Sequence, residues 1–81
     1  MQKEVDYVKA SQYRIKIMKS LDGKVKIPSE IAKEIGMPQK RISGSIDHLK
    51  NHNLIECINP QVRKGRLYRL TYLGKEVVKK L

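Results

Sequence analysis

The sequence predicts a mainly α, α+β fold: a three-helix core, a small β-hairpin and a short closing helix. Three observations carry this. Apolar residues recur at helical spacing in three runs between residues 11 and 53. Two extended runs then flank a turn rich in turn formers and cations. A short helical pattern ends the chain. At 81 residues there is room for one small core, so residues 1–81 read as a single domain. The hydrophobic share is 40%, with no Phe or Trp, so aliphatic packing must supply the core.

Each element has a local reason. Residues 2–10 are ambiguous: Val5 and Val8 stand at i, i+3, but no capping residue precedes them. This stretch reads as a short helix, an N-terminal extension or an arm for dimerisation. Ser11 suits a helix N-cap, and from Tyr13 the apolar positions Ile17, Met18 and Leu21 form one stripe, stopped by Asp22-Gly23. Residues 24–27 alternate and could form a very short strand. Pro28 opens the next helix, where a missing N–H costs nothing. Ile31, Ala32 and Ile35 form its buried face and Gly36 ends it. Pro38 sits at the entrance of a third helix reaching about Asn51 or His52, with Ile42, Ile46 and Leu49 inward. Asn53 stands where a residue of positive φ is wanted. Leu54–Ile58 and Leu67–Thr71 are strand candidates around a basic turn, and a last helix runs over about Leu73–Lys80.

Composition narrows the function. Eighteen Lys and Arg against eight Asp and Glu give a net charge of +10, which favours a polyanionic partner. The acids are dispersed, unlike a disordered basic tail. A single cysteine, Cys57, excludes an internal disulfide framework and a multi-cysteine zinc site, and fits a reducing compartment. The first residues are charged, with no secretory signal, and no run approaches the roughly 18 apolar residues of a membrane span. The expected location is the cytoplasm, with no membrane partner.

Two short helices joined by a turn containing glycine, followed by a basic hairpin, is the order of a winged helix-turn-helix. Residues 28–36 (Pro-Ser-Glu-Ile-Ala-Lys-Glu-Ile-Gly) resemble the first half of the helix-turn-helix in winged-helix transcription regulators. Ile42-Ser43, Leu49 and Asn53-Leu54-Ile55 resemble its recognition helix and exit strand. Gly65-Arg66-Leu67-Tyr68-Arg69-Leu70-Thr71 with Gly74-Lys75 is similar to the wing's return strand and following helix in archaeal members of the ArsR- and MarR-like group. The resemblance covers about residues 11–81. It implies a sequence-specific regulator of transcription that binds double-stranded DNA, and a homodimer. Two positions depart from the pattern: Pro38 replaces a capping Ser or Thr, and Asn53 replaces Gly.

A helical wheel divides the third helix, about residues 38–52. With Ile42, Ile46 and Leu49 inward, Lys40, Gly44 and Asn51 lie opposite, flanked by Arg41 and His48 on one side and Ser43 and Asp47 on the other. The groove-facing candidates are Gln39, Lys40, Arg41, Ser43, Gly44, Ser45 and His48. Arg41 suits guanine and Gln39 adenine, while Lys40 and the serines suit phosphates or bases. Gly44 costs roughly 0.8–1 kcal/mol in mid-helix, which suggests close approach of the backbone to the groove. In the wing, residues 59–67, the candidates are Arg63, Lys64, Gly65 and Arg66, placed to meet phosphates or a narrow minor groove. Arg69 reads as structural.

Other readings fit less well. His48 and His52, four apart, with Cys57 nearby could form a metal or redox sensor, but the set is loose, and Cys57 suits a small core filler. No nucleophile–base pair, phosphate-binding glycine loop or carboxylate pair points to catalysis, so neither a catalytic residue, a bound metal nor a cofactor is expected. The alternative function is a winged-helix protein-interaction module, against which stand the charge and the lack of an exposed apolar anchor on the third helix. Structured RNA would want stacking aromatics that are missing. A dimer surface is expected from Val5, Tyr7 and Val8 with Val77, Val78 and Leu81, residues that would equally suit the monomer's core.

Overall fold

The computed structural model covers residues 1–81. The elements follow the order α1 (Gln2–Lys9), α2 (Gln12–Ser20), α3 (Pro28–Ile35), α4 (Gln39–Asn51), β1 (Ile55–Cys57), β2 (Tyr68–Leu70) and α5 (Tyr72–Val78). Five helices and one antiparallel hairpin make the α+β architecture expected. The core is one aliphatic cluster fed by every helix and by the hairpin.

The ambiguous N-terminal segment is a helix. No side chain caps α1, yet Val5 and Val8 are 1% and 0% exposed. Full burial of a valine contributes about 1.5 kcal/mol or more, so the tertiary contact outweighs the weak local signal. Arg14 of α2 completes the attachment, its Nη1 donating to the Tyr7 carbonyl at 2.8 Å with the guanidinium 3.9 Å over the Tyr7 ring. The other end of the ladder is His52, stacked on Tyr7 with ring centroids 3.7 Å apart. Residues 2–9 are therefore a part of the core and not a free arm.

In α2, Ser11 caps the helix by accepting from the Arg14 N–H at 3.4 Å. Residues 24–27 make less of a strand than their alternation suggests. Only Lys26 pairs, donating to and accepting from Tyr68 at 3.0 and 2.9 Å, while Val25 remains 45% exposed. The Lys26 ammonium reaches Glu34 at 2.8 Å, and Ser20 also donates to that carboxylate, tying α2 and the α3 end together. Pro28 starts α3, and Glu30 accepts from the Ile27 N–H at 3.0 Å, the reach-back half of a capping box. Gly36 takes φ 73° and the Met37 N–H returns to the Ala32 carbonyl at 2.9 Å, so the chain turns directly into α4.

Helix α4 buries Ile42, Ile46 and Leu49 as its spacing predicts. Asn53, at φ 62°, ends it, and the Leu54 N–H donates to the Leu49 carbonyl at 3.1 Å. The hairpin pairs Ile55 with Leu70, Glu56 with Arg69 and Cys57 with Tyr68. Its ladder is three residues long on each strand, shorter than the runs 54–58 and 67–71. At its ends the Ile58 N–H still donates to the Leu67 carbonyl at 2.9 Å and the Thr71 N–H to the Leu54 carbonyl at 3.1 Å, before the chain turns into the loop and into α5. Thr71 makes that junction. Its hydroxyl donates to the Asn53 carbonyl at 2.7 Å and accepts from the Gly74 N–H at 2.9 Å. Helix α5 thereby begins against the α4–β1 link, one residue earlier than its apolar pattern indicates.

Candidate nucleic-acid interface

The candidate residues lie on two surfaces, the outer side of α4 and the loop between β1 and β2. On α4, Lys40, Arg41, Ser43, Gly44 and His48 are exposed, whereas Ser45 is half-buried toward the start of α2. Gln39 is exposed, but its amide donates to the Ser29 carbonyl at 3.3 Å, which turns it toward α3. The seven α4 residues singled out by sequence thus divide: Lys40 and Gly44 on the outward line, His48, Arg41 and Ser45 progressively toward the α2 flank, Ser43 on the opposite flank, and Gln39 toward α3. A carbon added at Gly44 would meet nothing within 4 Å, so its absence leaves the centre of the outer face bare.

The wing loop is held from within. The Asn59 side chain accepts from the Leu67 N–H at 2.7 Å and donates to the Gly65 carbonyl at 3.2 Å, spanning the loop's neck. Its backbone carbonyl accepts from the Val62 N–H at 3.2 Å, closing a turn that Pro60 pre-shapes. Gly65 adopts φ 73° at the tip, and Arg66 donates through Nε to the Val62 carbonyl at 2.7 Å. Arg63, Lys64 and Arg66 are all exposed, but Arg66 has this internal tie while Arg63 and Lys64 project without a carboxylate partner. Asn59 was not among the residues singled out by sequence. The signal available was Asn-Pro at a turn entrance, where Asn favours bonds to nearby backbone.

Charge is distributed unevenly. Four ion pairs employ the N-terminus, Lys26, Arg69 and Lys79 with Glu4, Glu34, Glu56 and Glu76. Arg69 meets Glu56 across the ladder at 2.8 Å, the structural part anticipated for it. Lys26 and then Ser20, both bonded to Glu34, hold that carboxyl below its ordinary 4.5. None of these pairs involves Lys40, Arg41, Arg63 or Lys64, so these four cations stand without a carboxylate partner. Asp47 is the one acid on α4. Burial pushes the Tyr68 phenol up, Cys57 and Asp47 act in the same direction, and Arg66 opposes.

The histidine–cysteine set does not come together as a centre. His52 stacks on Tyr7 and its Nδ1 bonds the His48 carbonyl at 2.8 Å, while the Cys57 thiol donates weakly to Asn59 at 3.5 Å. No three His, Cys, Asp or Glu side chains converge in a way that would hold a metal ion. The apolar residues expected on a dimer surface divide as well. Val5, Val8 and Val77 are at most 1% exposed inside the monomer's own core and have no surface to offer. Tyr7 is covered by His52 and Arg14. Val78 and Leu81 stay partly exposed, beside a Tyr72 that is 80% exposed. No helix is long and apolar enough to cross a membrane.

Comparisons with known proteins agree with this geometry. A family model described as "Bacterial regulatory protein, arsR family" matches residues 11–56, more than half of the chain. A comparison with curated proteins gives no match. Among solved structures, the chain is similar to the transcriptional repressor CouR bound to a 23-mer DNA duplex (TM-score 0.78, 20% identity, 94% of this chain and 55% of that one). It is similar to NMB1585, a MarR family regulator from Neisseria meningitidis (0.77, 22% identity, 96% and 56%). A third likeness is to the homodimeric winged helix-turn-helix DNA-binding domain of Mb0332 from Mycobacterium bovis (0.70, 24% identity, 94% and 66%). The chain spans about half of the first two, with 55% and 56% covered, and these identities speak for the fold. With a winged helix-turn-helix architecture and a family match across its helices α2–α4 and strand β1, the chain belongs to the arsR family of bacterial regulatory proteins.

Proposed function

We propose that this chain is a sequence-specific transcriptional regulator that binds double-stranded DNA. The observation that carries the reading is the α4 face: its inner side is wholly spent on the core, and its outer side offers Lys40, Arg41, Ser43, Gly44 and His48, while the wing adds exposed cations without carboxylate partners. A helix with an apolar inner stripe and a polar, cationic outer stripe fits the major groove, and the wing's Arg63 and Lys64 suit phosphates or a minor groove. Lys40 and Gly44 form the centre of the groove-facing group, with Arg41 and His48 on one flank and Ser43 on the other. Gln39, turned toward Ser29, and Ser45, half-buried beside α2, stand at its edges, and Gly65 and Arg66 shape the wing tip. The chain acts by binding and not by catalysis, in the cytoplasm, with residues 1–81 as one DNA-binding domain.

A homodimer is part of this reading. The comparison domain from Mycobacterium bovis is described as homodimeric, and α5 with the C-terminus leaves Tyr72, Val78 and Leu81 exposed in part or whole. These residues take the place of Val5, Val8 and Val77 in the surface. Selection from a random duplex pool tests the proposal. Enrichment of a short motif, repeated as half-sites about 10 base pairs apart, is expected. A pool that stays unenriched while the protein is folded would refute sequence-specific binding.

A further inference from the structure

The start of α2 lies beside α4, and the two enclose a cleft of about 380 Å³. Ser11, Tyr13 and Arg14 form one wall, and Lys40, Arg41 and Ser45 form most of the other. No Asp or Glu lines it. Arg14 is fixed in place by its bond to the Tyr7 carbonyl and its seat over the Tyr7 ring, and it has no carboxylate partner. Arg41 rests its guanidinium 5.6 Å from the Tyr13 ring centre, also without a carboxylate. Three cations and several hydroxyls round one concavity suit an anion, and a guanidinium already held by its neighbours loses little freedom on binding one.

The cleft's position says which anion. Lys40 and Gly44 belong both to it and to the outer line of α4. At 100° per residue, Arg41 and Ser45 fall on the α2 flank, opposite Ser43 and Asp47. A helix in the major groove has one phosphate strand on either side of it. The wing accounts for one. The geometry points to the α2–α4 cleft as the seat of a phosphodiester of the other strand, with Arg14, Lys40 and Arg41 supplying charge and Ser45 and Tyr13 supplying hydroxyl donors. The inference rests on α4 entering the groove, and adds to that reading a contact made from outside the helix-turn-helix and the wing.

Full-length Arg14→Gln and Arg14→Lys are titrated with duplex DNA over a range of salt, each with a thermal melt. Arg14→Gln should weaken binding about three- to tenfold at 0.1 M salt, alike for all sequences, and flatten the log–log salt slope by about one; Arg14→Lys should keep the slope. Because Arg14 also secures α1, a second measurement uses the unaltered protein. Single phosphates of the duplex are replaced by neutral methylphosphonates. One or two positions on one strand should cost affinity with the native chain and cost nothing further with Arg14→Gln. A folded Arg14→Gln with an unchanged slope, or methylphosphonate penalties that add fully to the variant's, would overturn the assignment. Inorganic phosphate is the last probe, followed by amide shifts of Ser11, Gly44 and Ser45. Shifts that DNA suppresses support the phosphodiester seat, while shifts that persist in the DNA complex give the cleft to a free anion and overturn it. A native chain that binds no duplex at any salt fails the DNA reading itself. Binding that depends on Arg63 and Lys64 but not on Arg14 fails the cleft alone.

Discussion

Two glycines on helices should respond to alanine with opposite sign. At Gly74 an added Cβ would lie 2.1 Å from the Leu54 carbonyl oxygen and 3.1 Å from its carbon. The first distance is more than an ångström inside ordinary contact, and the obstacle is backbone. Relief requires moving α5 off the α4–β1 link, which strains the Thr71 N–H bond to the same Leu54 carbonyl, 3.1 Å, and the Thr71 cap beside it. Overpacking of this kind costs about 1–3 kcal/mol, and the alanine's better helix propensity returns at most roughly 1. The upper part of the range applies, because a carbonyl cannot rotate away as a side chain can, and net destabilisation should be about 1–2 kcal/mol. At Gly44 the added carbon meets nothing within 4 Å, so only the propensity gain of about 0.8–1 kcal/mol remains. In a domain of this size each kcal/mol moves the midpoint by about 4–8 °C, so melts by circular dichroism should separate the two variants by roughly 8 °C or more. Gly74→Ala melting with or above the native chain, or Gly44→Ala melting below it, would refute the reasoning. Gly44→Ala also bears on function: if the bare backbone at this point is needed for close approach to DNA, affinity falls as stability rises.

Further expectations concern the wing, the α4 terminus and the Lys26–Glu34 link. Asn59→Ala should lose the bonds to Leu67 and Gly65, speeding amide exchange at Leu67 and weakening DNA binding, with a stability cost of about 1 kcal/mol. Unchanged exchange at Leu67 would remove Asn59 from its assigned part. Asn53→Gly should be neutral or slightly stabilising, and Asn53→Ala should cost about 1 kcal/mol by urea denaturation, because φ is 62° there. Equal midpoints for the two would contradict this. Glu34 has its carboxyl held below 4.5 in the folded chain, chiefly by Lys26 and then by Ser20. Its contribution is present in full above the unfolded value and is lost as pH falls through the folded one. The native chain should therefore exceed Glu34→Gln in stability near neutral pH, with the difference shrinking below about pH 4.5. A difference independent of pH would contradict the linkage.

Much of the helical framework is visible in the sequence because α2, α3 and α4 each combine a period with punctuation: Ser11, Pro28, Gly36 and Asn53 stand at their boundaries. Helix α1 lacks such marks. Its two valines enter the core cluster and its Tyr7 is held by Arg14 and His52 from other helices, so only the assembled structure shows why it forms. The alternation at 24–27 reads as a strand, but a strand needs a partner ladder, and Tyr68 provides a single bridge. The same distinction governs the interface. Which α4 residues avoid the core follows from a 100° rotation, and the wing's cations are visible as a run. Asn59 holding the wing neck, Arg66 tied to Val62, Gln39 turned to Ser29 and the cleft beside Arg14 all depend on chain segments meeting in space. For the same reason the sequence left Val5, Val8 and Val77 between a dimer surface and the monomer's core, and the structure puts them in the core. An apolar stripe says that a residue will be covered, and not whether its own chain or another covers it.

The most direct test of the account is fluorescence anisotropy of a labelled duplex titrated with the protein at several salt concentrations. Lys40, Arg41, Arg63 and Lys64 stand without carboxylate partners, and Arg14 adds a fifth cation in the cleft with Lys40 and Arg41. Neutralising about four or five phosphates gives a log–log slope of roughly −4. The account predicts a slope at least that steep, reduced by about two in the Arg63→Ala/Lys64→Ala variant. A folded chain that does not bind duplex at low salt, or binds with a slope near zero, would contradict the claim that this face serves DNA.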